Sequence, residues 1–424
     1  MTKSAKNNSK ATARYYAWWV LACLAPLVVF PCVGASESEQ AVYAVEYEAM
    51  LDPAKGQARV TLALEQATQL LRSASFSMPE DRYLNIRSDS PVVRDGNRVT
   101  WRPGTTGGVL SYDYVIGHQR SNGLPDAKIT PSWALLKLDQ LFPSASTTTA
   151  VGARSATRVT LAGPAGWSIE TPYTAGQSRT FLVDDPSRRF DQPRGWMLAG
   201  DISVRKDTIG AQQLSVASPR GLGLRANDTL AFLRWTLPAM NKLLPGAPRR
   251  LLVVNGSDDM WRGGLSGHAS LYLHPGRPLI SGNRTSTLLH ELFHVFSGIR
   301  AKNGDGADWI VEGLAEYYSI AMLQRSGGIS SYRYEKGLTQ LAEWSAGLPC
   351  DATDASSGAR TAAAALVMDS LDRELRSKSK GRHSLDTLVQ KLVANGATIT
   401  NSGFKALAGE LAGQPVVTLA SCPG

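Results

Sequence analysis

The sequence predicts an α+β protein of several domains, in which a β-sandwich-like domain precedes a mainly helical domain. Two observations support this prediction. Short alternating or β-branched runs recur from about residue 41 to 206, and clusters of turn-forming residues separate them. Beyond residue 220 the pattern changes to apolar stripes with helical spacing. A chain of 424 residues has room for two or three domains of ordinary size.

The N-terminus has the layout of an export signal. A basic start leads into an apolar run over residues 15–30, and the small residues Val33, Gly34 and Ala35 follow it. This order is typical of a signal peptide that is cleaved after Ala35. A retained membrane anchor is the alternative, but the run is short for a bilayer span and contains Pro26. No later segment resembles a transmembrane helix.

The predicted domain boundaries follow from these patterns. Residues 1–35 are expected to be the signal peptide, residues 36–220 a β-rich domain, and residues 221–424 a second, mainly helical domain. We therefore expect an exported protein, either periplasmic or secreted, with no membrane span after cleavage. The sequence does not define an oligomeric state.

Charge and cysteine content limit the partners. The formal charge is +9, and four of these charges lie in the predicted signal peptide, which leaves +5. The remaining basic residues are scattered and form no stripe, so we expect no nucleic-acid partner. Cys350 and Cys422 remain after signal removal. In an exported chain they are either a disulfide or two free cysteines.

The β-rich region consists of short strands at regular spacing, which predicts a sandwich or an open barrel. No group of residues in this region indicates chemistry. The predicted strands cover residues 41–47, 58–64, 98–101, 109–115, 157–161 and 167–171.

The second region mixes helices with a few strands. A helix is predicted from Thr229 to Leu244, broken at Pro238, followed by a buried strand over residues 250–255. A glycine-rich approach over residues 261–268 leads to a predicted edge strand at residues 269–274. Such an edge can pair with an extended peptide, although an ordinary sheet edge is the commoner case. Further helices are predicted at residues 359–375, 384–394 and 403–411.

The clearest chemical signal is the motif H-E-x-x-H at residues 290–294. Its helix is predicted to begin near Ser286 or Thr287 and to end at Gly298. His290 and His294 are four residues apart and share one helix face, so both can reach a single ion. Glu291 is placed to act on a water held by that ion. The alternative is a helix that merely contains two histidines.

A second predicted helix, over residues 309–323, supplies the third ligand. Glu312 follows His294 by eighteen positions, which leaves room for a reversal of direction between the helices. Two histidines, a glutamate and an open position are a catalytic zinc site of known type. Glu316, one turn further, is expected to accept a hydrogen bond from a ring nitrogen of His290 or His294. A structural salt bridge is the competing interpretation of Glu316.

These residues resemble a known family. H-E-L-F-H followed by W-I-V-E-G-L-A-E-Y-Y is similar to the gluzincin metallopeptidases, and most similar to their glycyl aminopeptidase family. Three shorter matches are Phe181–Pro186, Gly263-Gly264-Leu265 and Leu366–Asp369. The resemblance implies an N-terminal β domain, a thermolysin-like catalytic domain and zinc, with His290, His294 and Glu312 as ligands and Glu291 as the general base. It also implies substrate contacts around Gly264, Leu265, Ser266 and His268.

The sequence departs from the family pattern at three places. The family's glutamate after Gly-Gly-Leu, which helps to hold a substrate amine, is Ser266 here. The tyrosine expected to face the oxyanion is replaced near Gly358-Ala359-Arg360, and no PDZ-like segment follows. Five residues are candidates to replace that tyrosine as the group that faces the oxyanion: Tyr317, Tyr318, Tyr332, Tyr334 and His268.

The expected function is zinc-dependent hydrolysis of peptide bonds in a peptide or protein substrate. Aminopeptidase activity is one form that this hydrolysis can take. Two alternatives stay open. One is an endopeptidase or a hydrolase of cell-wall peptides. The other is a binding protein that keeps the metal but has lost efficient turnover.

Overall fold

The structure is a computed structural model that describes residues 41–174, 179–183, 188–222, 225–348 and 358–420. These residues belong to one compact unit. The predicted signal peptide and the Cys350–Cys422 pair lie outside the described residues. In the described part, no helix is both long and apolar enough to cross a membrane.

The N-terminal region is built almost entirely of strands, as the sequence predicts. Its elements, in chain order, are β1 (Val42–Asp52), β2 (Gln57–Glu65), β3 (Leu71–Ser77), β4 (Tyr83–Ser88), β5 (Val92–Asp95), β6 (Arg98–Trp101), β7 (Gly107–Val115), β8 (His118–Gln119), β9 (Pro125–Ile129), β10 (Trp133–Lys137), α1 (Leu138–Leu141), β11 (Ala145–Thr149), β12 (Arg154–Ala162), β13 (Ser168–Glu170), β14 (Thr180–Val183) and β15 (Trp196–Gly200).

These strands form three sheets around a shared apolar core. The strand orders are β14-β12-β1-β2-β7-β4, β13-β15-β10-β9-β8 and β11-β3-β6-β5. In β1 every second side chain is buried, so one face of the strand supplies the core and the other meets solvent. Trp101, Phe142 and Met197 are fully buried members of the core, one from each of three separate chain segments. The alternation seen in the sequence therefore selects which face of each sheet is covered.

The second region combines a five-stranded sheet, a two-stranded sheet formed by its last two strands, and a helical layer. Its elements are β16 (Ile202–Ile209), β17 (Gln212–Pro219), α2 (Ala226–Leu243), β18 (Arg250–Val254), β19 (Gly264–Gly267), β20 (Ser270–Leu273), α3 (Thr287–Ser297), β21 (Arg300–Ala301), α4 (Asp308–Arg325), α5 (Ser331–Trp344), α6 (Gly358–Lys378), α7 (Leu385–Ala394), β22 (Thr398–Ile399) and α8 (Asn401–Ala412). Apolar side chains of the helices and of this sheet share a second large core.

The five-stranded sheet of this region has the order β16-β17-β18-β20-β19. Its first two strands precede residue 220, so the sheet takes strands from both sides of the predicted domain boundary. The predicted edge strand at residues 269–274 is wrong, because β20 lies inside the sheet between β18 and β19. A turn at Ala269, whose φ is 46°, folds the glycine-rich approach back as an additional strand. The edge is therefore Gly264–Gly267.

Two helix predictions need correction. Helix α2 is continuous through Pro238, although the sequence predicts a break there. Its apolar side chains, among them Leu237 and Met240, are fully buried on both sides of the proline. The packing of this face holds the helix together despite the missing N–H donor. Helix α5 was not predicted from the sequence at all.

Helix α3 begins and ends where the sequence predicts. The Ser286 side chain accepts a hydrogen bond from the backbone N–H of Leu289 and caps the N-terminus. Gly298 adopts the left-handed conformation at the C-terminus, with φ of 59°. Four side chains on the inner face anchor the helix in the core: Leu288, Leu289, Leu292 and Phe293.

Helix α4 is held against α3 on one side and against α6 on the other. The rings of Phe293 and Tyr318 stack with centroids 4.9 Å apart, and this contact joins α3 to α4. Gly313 faces Ala364 of α6 so closely that a Cβ on Gly313 would lie 2.8 Å from the Ala364 Cβ. The missing side chain at residue 313 therefore fixes how near α6 approaches α4.

We expect Gly313→Ala to destabilise the protein. The added methyl group would force α4 and α6 apart, at a cost of about 1–3 kcal/mol. Thermal unfolding monitored by circular dichroism should show a lower Tm. The matched control is Gly409→Ala in α8, where the nearest heavy atom to an added Cβ is 3.7 Å away. There the higher helix propensity of alanine should stabilise the helix by up to about 1 kcal/mol. Equal Tm values for the two variants would contradict the tight α4–α6 contact.

Candidate metal centre

The centre is formed where α3 and α4 present polar side chains to each other. His290 and His294 lie on the same face of α3, and Glu312 faces them from the first turns of α4. One ligand atom from each of these three residues lies within 4.8 Å of the others. The structure therefore brings together the three predicted ligands.

The distances between the ligand atoms suit a tetrahedral ion. His290 Nε2 lies 3.1 Å from His294 Nε2. The Glu312 carboxylate oxygens lie 3.3 Å from His290 Nε2 and 3.6 Å from His294 Nε2. Ligands about 2.05 Å from a tetrahedral zinc are about 3.3 Å from one another. Two imidazole nitrogens and a carboxylate are also the donor set that catalytic zinc uses, so the residues fit this metal.

Glu316 orients one of the ligands. Its Oε2 lies 3.0 Å from His290 Nδ1, so that nitrogen donates its hydrogen to Glu316. In the neutral ring that metal ligation requires, the Nε2 atom carries the lone pair and faces His294 and Glu312. The hydrogen bond that the sequence predicts between Glu316 and one of the two histidines is therefore present at His290.

The electrostatics of the cluster favour a bound cation. Burial lowers the pKa of His294 to about 4, and the neighbouring His290 lowers it as well. Burial also opposes a charge on His290, but hydrogen bonds to Glu312 and Glu316 raise its pKa overall. Burial would raise the pKa of Glu312, yet the two histidines lower it to about 2. Without a metal ion, a proton on His290 therefore balances the charge of the Glu312 and Glu316 carboxylates, while His294 stays neutral at pH 7. A bound cation would replace that proton.

Glu291 lies beside the ligands and beneath the edge strand β19. Its side chain is 8% exposed, and burial raises its pKa to about 7. The backbone N–H of Ser266 donates a hydrogen bond to this carboxylate and acts against that rise. A Cβ on Gly264 would lie 2.8 Å from Glu291 Oε1, so only glycine lets the strand approach so closely. The Gly-Gly-Leu segment therefore positions the Glu291 carboxylate.

A cavity of about 650 Å³ opens above these groups. Gly264, Leu265 and Ser266, which were predicted to contact substrate, line it together with the ligands and Glu291. His268, the fourth predicted contact, is not among the lining residues. Its ring stacks on Tyr173, with ring centroids 6.2 Å apart.

The four candidate tyrosines do not line the cavity either. Tyr317 and Tyr318 are buried within the helical core, and the Tyr318 hydroxyl donates to Asp386. The Tyr334 hydroxyl donates to Asp369, and Tyr332 is 74% exposed. The resemblance places a tyrosine near residues 358–360, and at the first of these, Gly358, an added Cβ would collide with the indole of Trp344. The described lining residues therefore include no tyrosine.

Sequence reasoning missed the cationic side chains of the cavity. Arg120 and Lys137 come from the β-rich region, in which no chemistry was predicted. Arg277 comes from the loop after β20, and Arg300 is the first residue of β21. No local pattern marks these residues, since each belongs to a different segment. Arg120 and Lys137 reach the cavity only because β8 and β10 pack against the second region.

Comparisons of structure place this architecture among solved enzymes. An aminopeptidase N family protein from Idiomarina loihiensis matches with a TM-score of 0.64 and 16% identity, over 85% of this chain and 72% of that one. Yeast LTA4 hydrolase matches with a TM-score of 0.56 and 13% identity, over 90% of this chain and 68% of that one. The chain has the fold of these proteins. This confirms a multidomain α+β fold with a β-rich N-terminal region.

A third similar structure is Legionella pneumophila aminopeptidase A in complex with aspartic acid. It matches with a TM-score of 0.54 and 13% identity, over 88% of this chain and 48% of that one, so this chain spans about half of its length. No protein-family model matches the sequence, and no curated protein matches it either. The narrower likeness to glycyl aminopeptidases, and to thermolysin in the catalytic domain, therefore stays a prediction from the motifs.

We expect the purified protein to bind one zinc ion per chain, because three suitable ligand atoms converge. Inductively coupled plasma mass spectrometry of the dialysed protein should show this stoichiometry and its loss in His294→Ala. Glu316→Gln keeps the ligands but weakens the orientation of His290, so zinc affinity should fall about 10–100-fold.

The control for this experiment is His118→Ala. His118 also pairs with a carboxylate, that of Asp126, but lies outside the cluster, so zinc binding should be unchanged. A wild-type protein that is free of metal and also fails to take up added zinc would overturn the assignment.

Proposed function

We propose that this protein is a zinc metallopeptidase that hydrolyses peptide bonds. The observation that carries the proposal is the convergence of His290, His294 and Glu312 around one point, with the buried carboxylate of Glu291 beside it. The shared fold with an aminopeptidase N family protein supports the same reading. A bound zinc ion would supply a water of lowered pKa and would polarise the carbonyl of the substrate.

Glu291 has the properties of the general acid and base. Burial brings its pKa to about 7, which suits a group that first accepts a proton and later returns it. Its carboxylate would take a proton from the attacking water and deliver it to the nitrogen of the leaving amine. The hydrogen bond from Ser266 N–H fixes the carboxylate in place while it does so.

Peptide binding would use the edge strand β19. Among the described strands, β19 pairs with β20 only, and its other edge, where Lys137 holds the Ser266 carbonyl, is the candidate edge for an extended peptide. This edge lies along the cavity next to Glu291. A peptide added as a further strand would place a carbonyl near the metal ligands. Such binding does not require a free N-terminus, so endopeptidase action is as compatible with it as aminopeptidase action.

A second candidate function is binding without efficient turnover. The observation that favours it is the cavity wall, because none of its described lining residues is a tyrosine that could donate to the oxyanion. The neutral residue at position 266 also removes the charge that would anchor a substrate amine. We rank this candidate second, since the ligands and Glu291 are complete.

We also propose that the protein is exported, with residues 1–35 as a cleaved signal peptide. The support is the order of basic, apolar and small residues in that segment.

Glu291→Gln should abolish peptide cleavage and leave zinc content unchanged. The amide keeps the size of the side chain but cannot accept the proton from water. A loss of kcat of at least a hundredfold is expected, measured with the best peptide found for the wild type. Glu343→Gln on the exposed surface of α5 is the control. Cleavage that persists in the Glu291 variant would remove this residue from the mechanism.

A peptide library with free and with blocked N-termini should separate the candidate activities. Mass spectrometry of the products shows where each peptide is cut. Removal of single N-terminal residues from the free peptides alone would indicate an aminopeptidase. Internal cuts in both sets would indicate an endopeptidase. If zinc-loaded protein cuts neither set, the peptidase proposal fails and the binding function takes its place.

A further inference from the structure

Away from the metal position, the cavity wall carries mainly positive charge. Four cationic side chains line it: Arg120, Lys137, Arg277 and Arg300. Four carboxylates line it too, but three of them are Glu291, Glu312 and Glu316, which crowd around the metal position. Asp308 alone lies apart from that cluster. A substrate that extends away from the reacting bond therefore meets a basic surface.

Lys137 is the cation most directly placed beside the reacting groups. It is the last residue of β10, and its Nζ donates to the backbone carbonyl of Ser266 at 2.9 Å. Ser266 is also the residue whose N–H bonds Glu291, and the charge of Lys137 acts on that carboxylate. The ammonium group therefore lies at the edge strand, next to the general base.

The position of Lys137 is fixed by its surroundings. Its Nζ lies 5.2 Å from the centroid of the Trp196 ring, and Trp196 Nε1 donates to the carbonyl of Leu265 at 2.8 Å. The lysine and the tryptophan thus hold two successive carbonyls of β19. A side chain that is held in this way loses little further entropy when it binds an anion.

Lys137 forms no ion pair with a carboxylate of a described residue, although its charge acts at longer range on Glu291. An ammonium group has three N–H donors, and one of them is used by Ser266. Lys128 on β9 provides a contrast: it also lies over a tryptophan, 5.9 Å from the Trp133 centroid, but it is paired with Asp259. Lys137 therefore has donors left for a ligand, whereas Lys128 is already paired.

We propose that Lys137 binds a carboxylate of the peptide substrate, so that the cavity selects acidic peptides over peptides that offer a free amine at this place. This inference rests on the proposed function for the identity of the ligand as a peptide. A substrate ammonium group would be repelled by Lys137 and would find no negative charge on Ser266. A carboxylate would form a charge-assisted hydrogen bond in a half-buried setting, where such bonds are strong. Arg277, exposed at the same cavity, adds to the attraction.

Two kinds of peptide carboxylate satisfy this chemistry: the side chain of Asp or Glu, and the C-terminal α-carboxylate. The test uses a neutral peptide with both ends blocked, in which a single Glu or its isostere Gln is moved along the chain. A parallel set keeps Gln but leaves the C-terminus free. Binding is measured by calorimetry on full-length, zinc-loaded Glu291→Gln protein, which should not cleave the ligands.

We expect at least one Glu peptide, or the peptide with a free C-terminus, to bind about tenfold more tightly than its neutral match. Lys137→Met should weaken binding of the acidic peptide much more than binding of the neutral peptide, so that the two affinities become equal, while Lys137→Arg should keep most of the difference. Lys128→Met is the matched control and should leave the difference intact. In the wild-type enzyme, the ratio of kcat/KM for the Glu and Gln peptides should favour Glu by a similar factor.

Equal binding of the Glu and Gln peptides and of the two C-terminal forms would overturn the proposal. It would also be overturned if Lys137→Met weakened acidic and neutral peptides by the same factor, because Lys137 would then only support the edge strand. The two proposals fail separately. Neutral peptides that are cut without any acidic preference would refute this inference alone. Acidic peptides that bind through Lys137 but are never cut by the wild type would refute the peptidase function alone.

Discussion

The metal centre depends on the fixed separation of two helices, α3 and α4. His290 and His294 come from one helix and Glu312 from the other, yet their ligand atoms must stay within a few tenths of an ångström of tetrahedral spacing. Polar ligands cannot enforce this spacing alone, because like-charged or lone-pair-bearing atoms repel when no cation is between them. The separation is set by the apolar face below, where Phe293 stacks on Tyr318.

The separation of α3 and α4 is also maintained by α6 and α8, which lie much later in the chain. Gly313, next to the ligand Glu312, lets α6 press against α4. The loop between α3 and α4 is tied down by α8, since Asn401 bonds to Asp305 and accepts a hydrogen bond from Trp309 Nε1 at 2.9 Å. The C-terminal helices, which carry no ligand, thus hold the reversal that brings Glu312 back to the histidines.

The sequence predicted the parts of the site that are local along the chain. The i, i+4 spacing of His290 and His294 and the caps at Ser286 and Gly298 are properties of one helix, and Glu316 could be placed because it is one turn from Glu312. The β-rich character of the first region was also predictable, since alternation is visible within single strands. The sheet order was not, because pairing partners such as β1 and β12 are more than a hundred residues apart. The edge strand was misplaced for a related reason: a single left-handed residue, Ala269, decides whether the glycine-rich approach is a loop or a strand.

The difference between local features and features made by tertiary packing also explains why the sequence suggests a reaction more fully than it suggests the selectivity of that reaction. Reaction chemistry requires a few groups at short range, and helices supply such groups at fixed spacings. The cations that would choose a substrate come from the residue after β8, the end of β10, the loop after β20 and the start of β21, and only tertiary packing makes them neighbours. Lys137 illustrates this: in the sequence it is one polar residue at the end of an apolar strand, without any motif around it. The role proposed for Lys137 follows from its hydrogen bond to the carbonyl of Ser266, which is 129 positions away in the chain. A chain can therefore keep an unchanged metal motif while its substrate preference changes through single substitutions in a different layer of the fold.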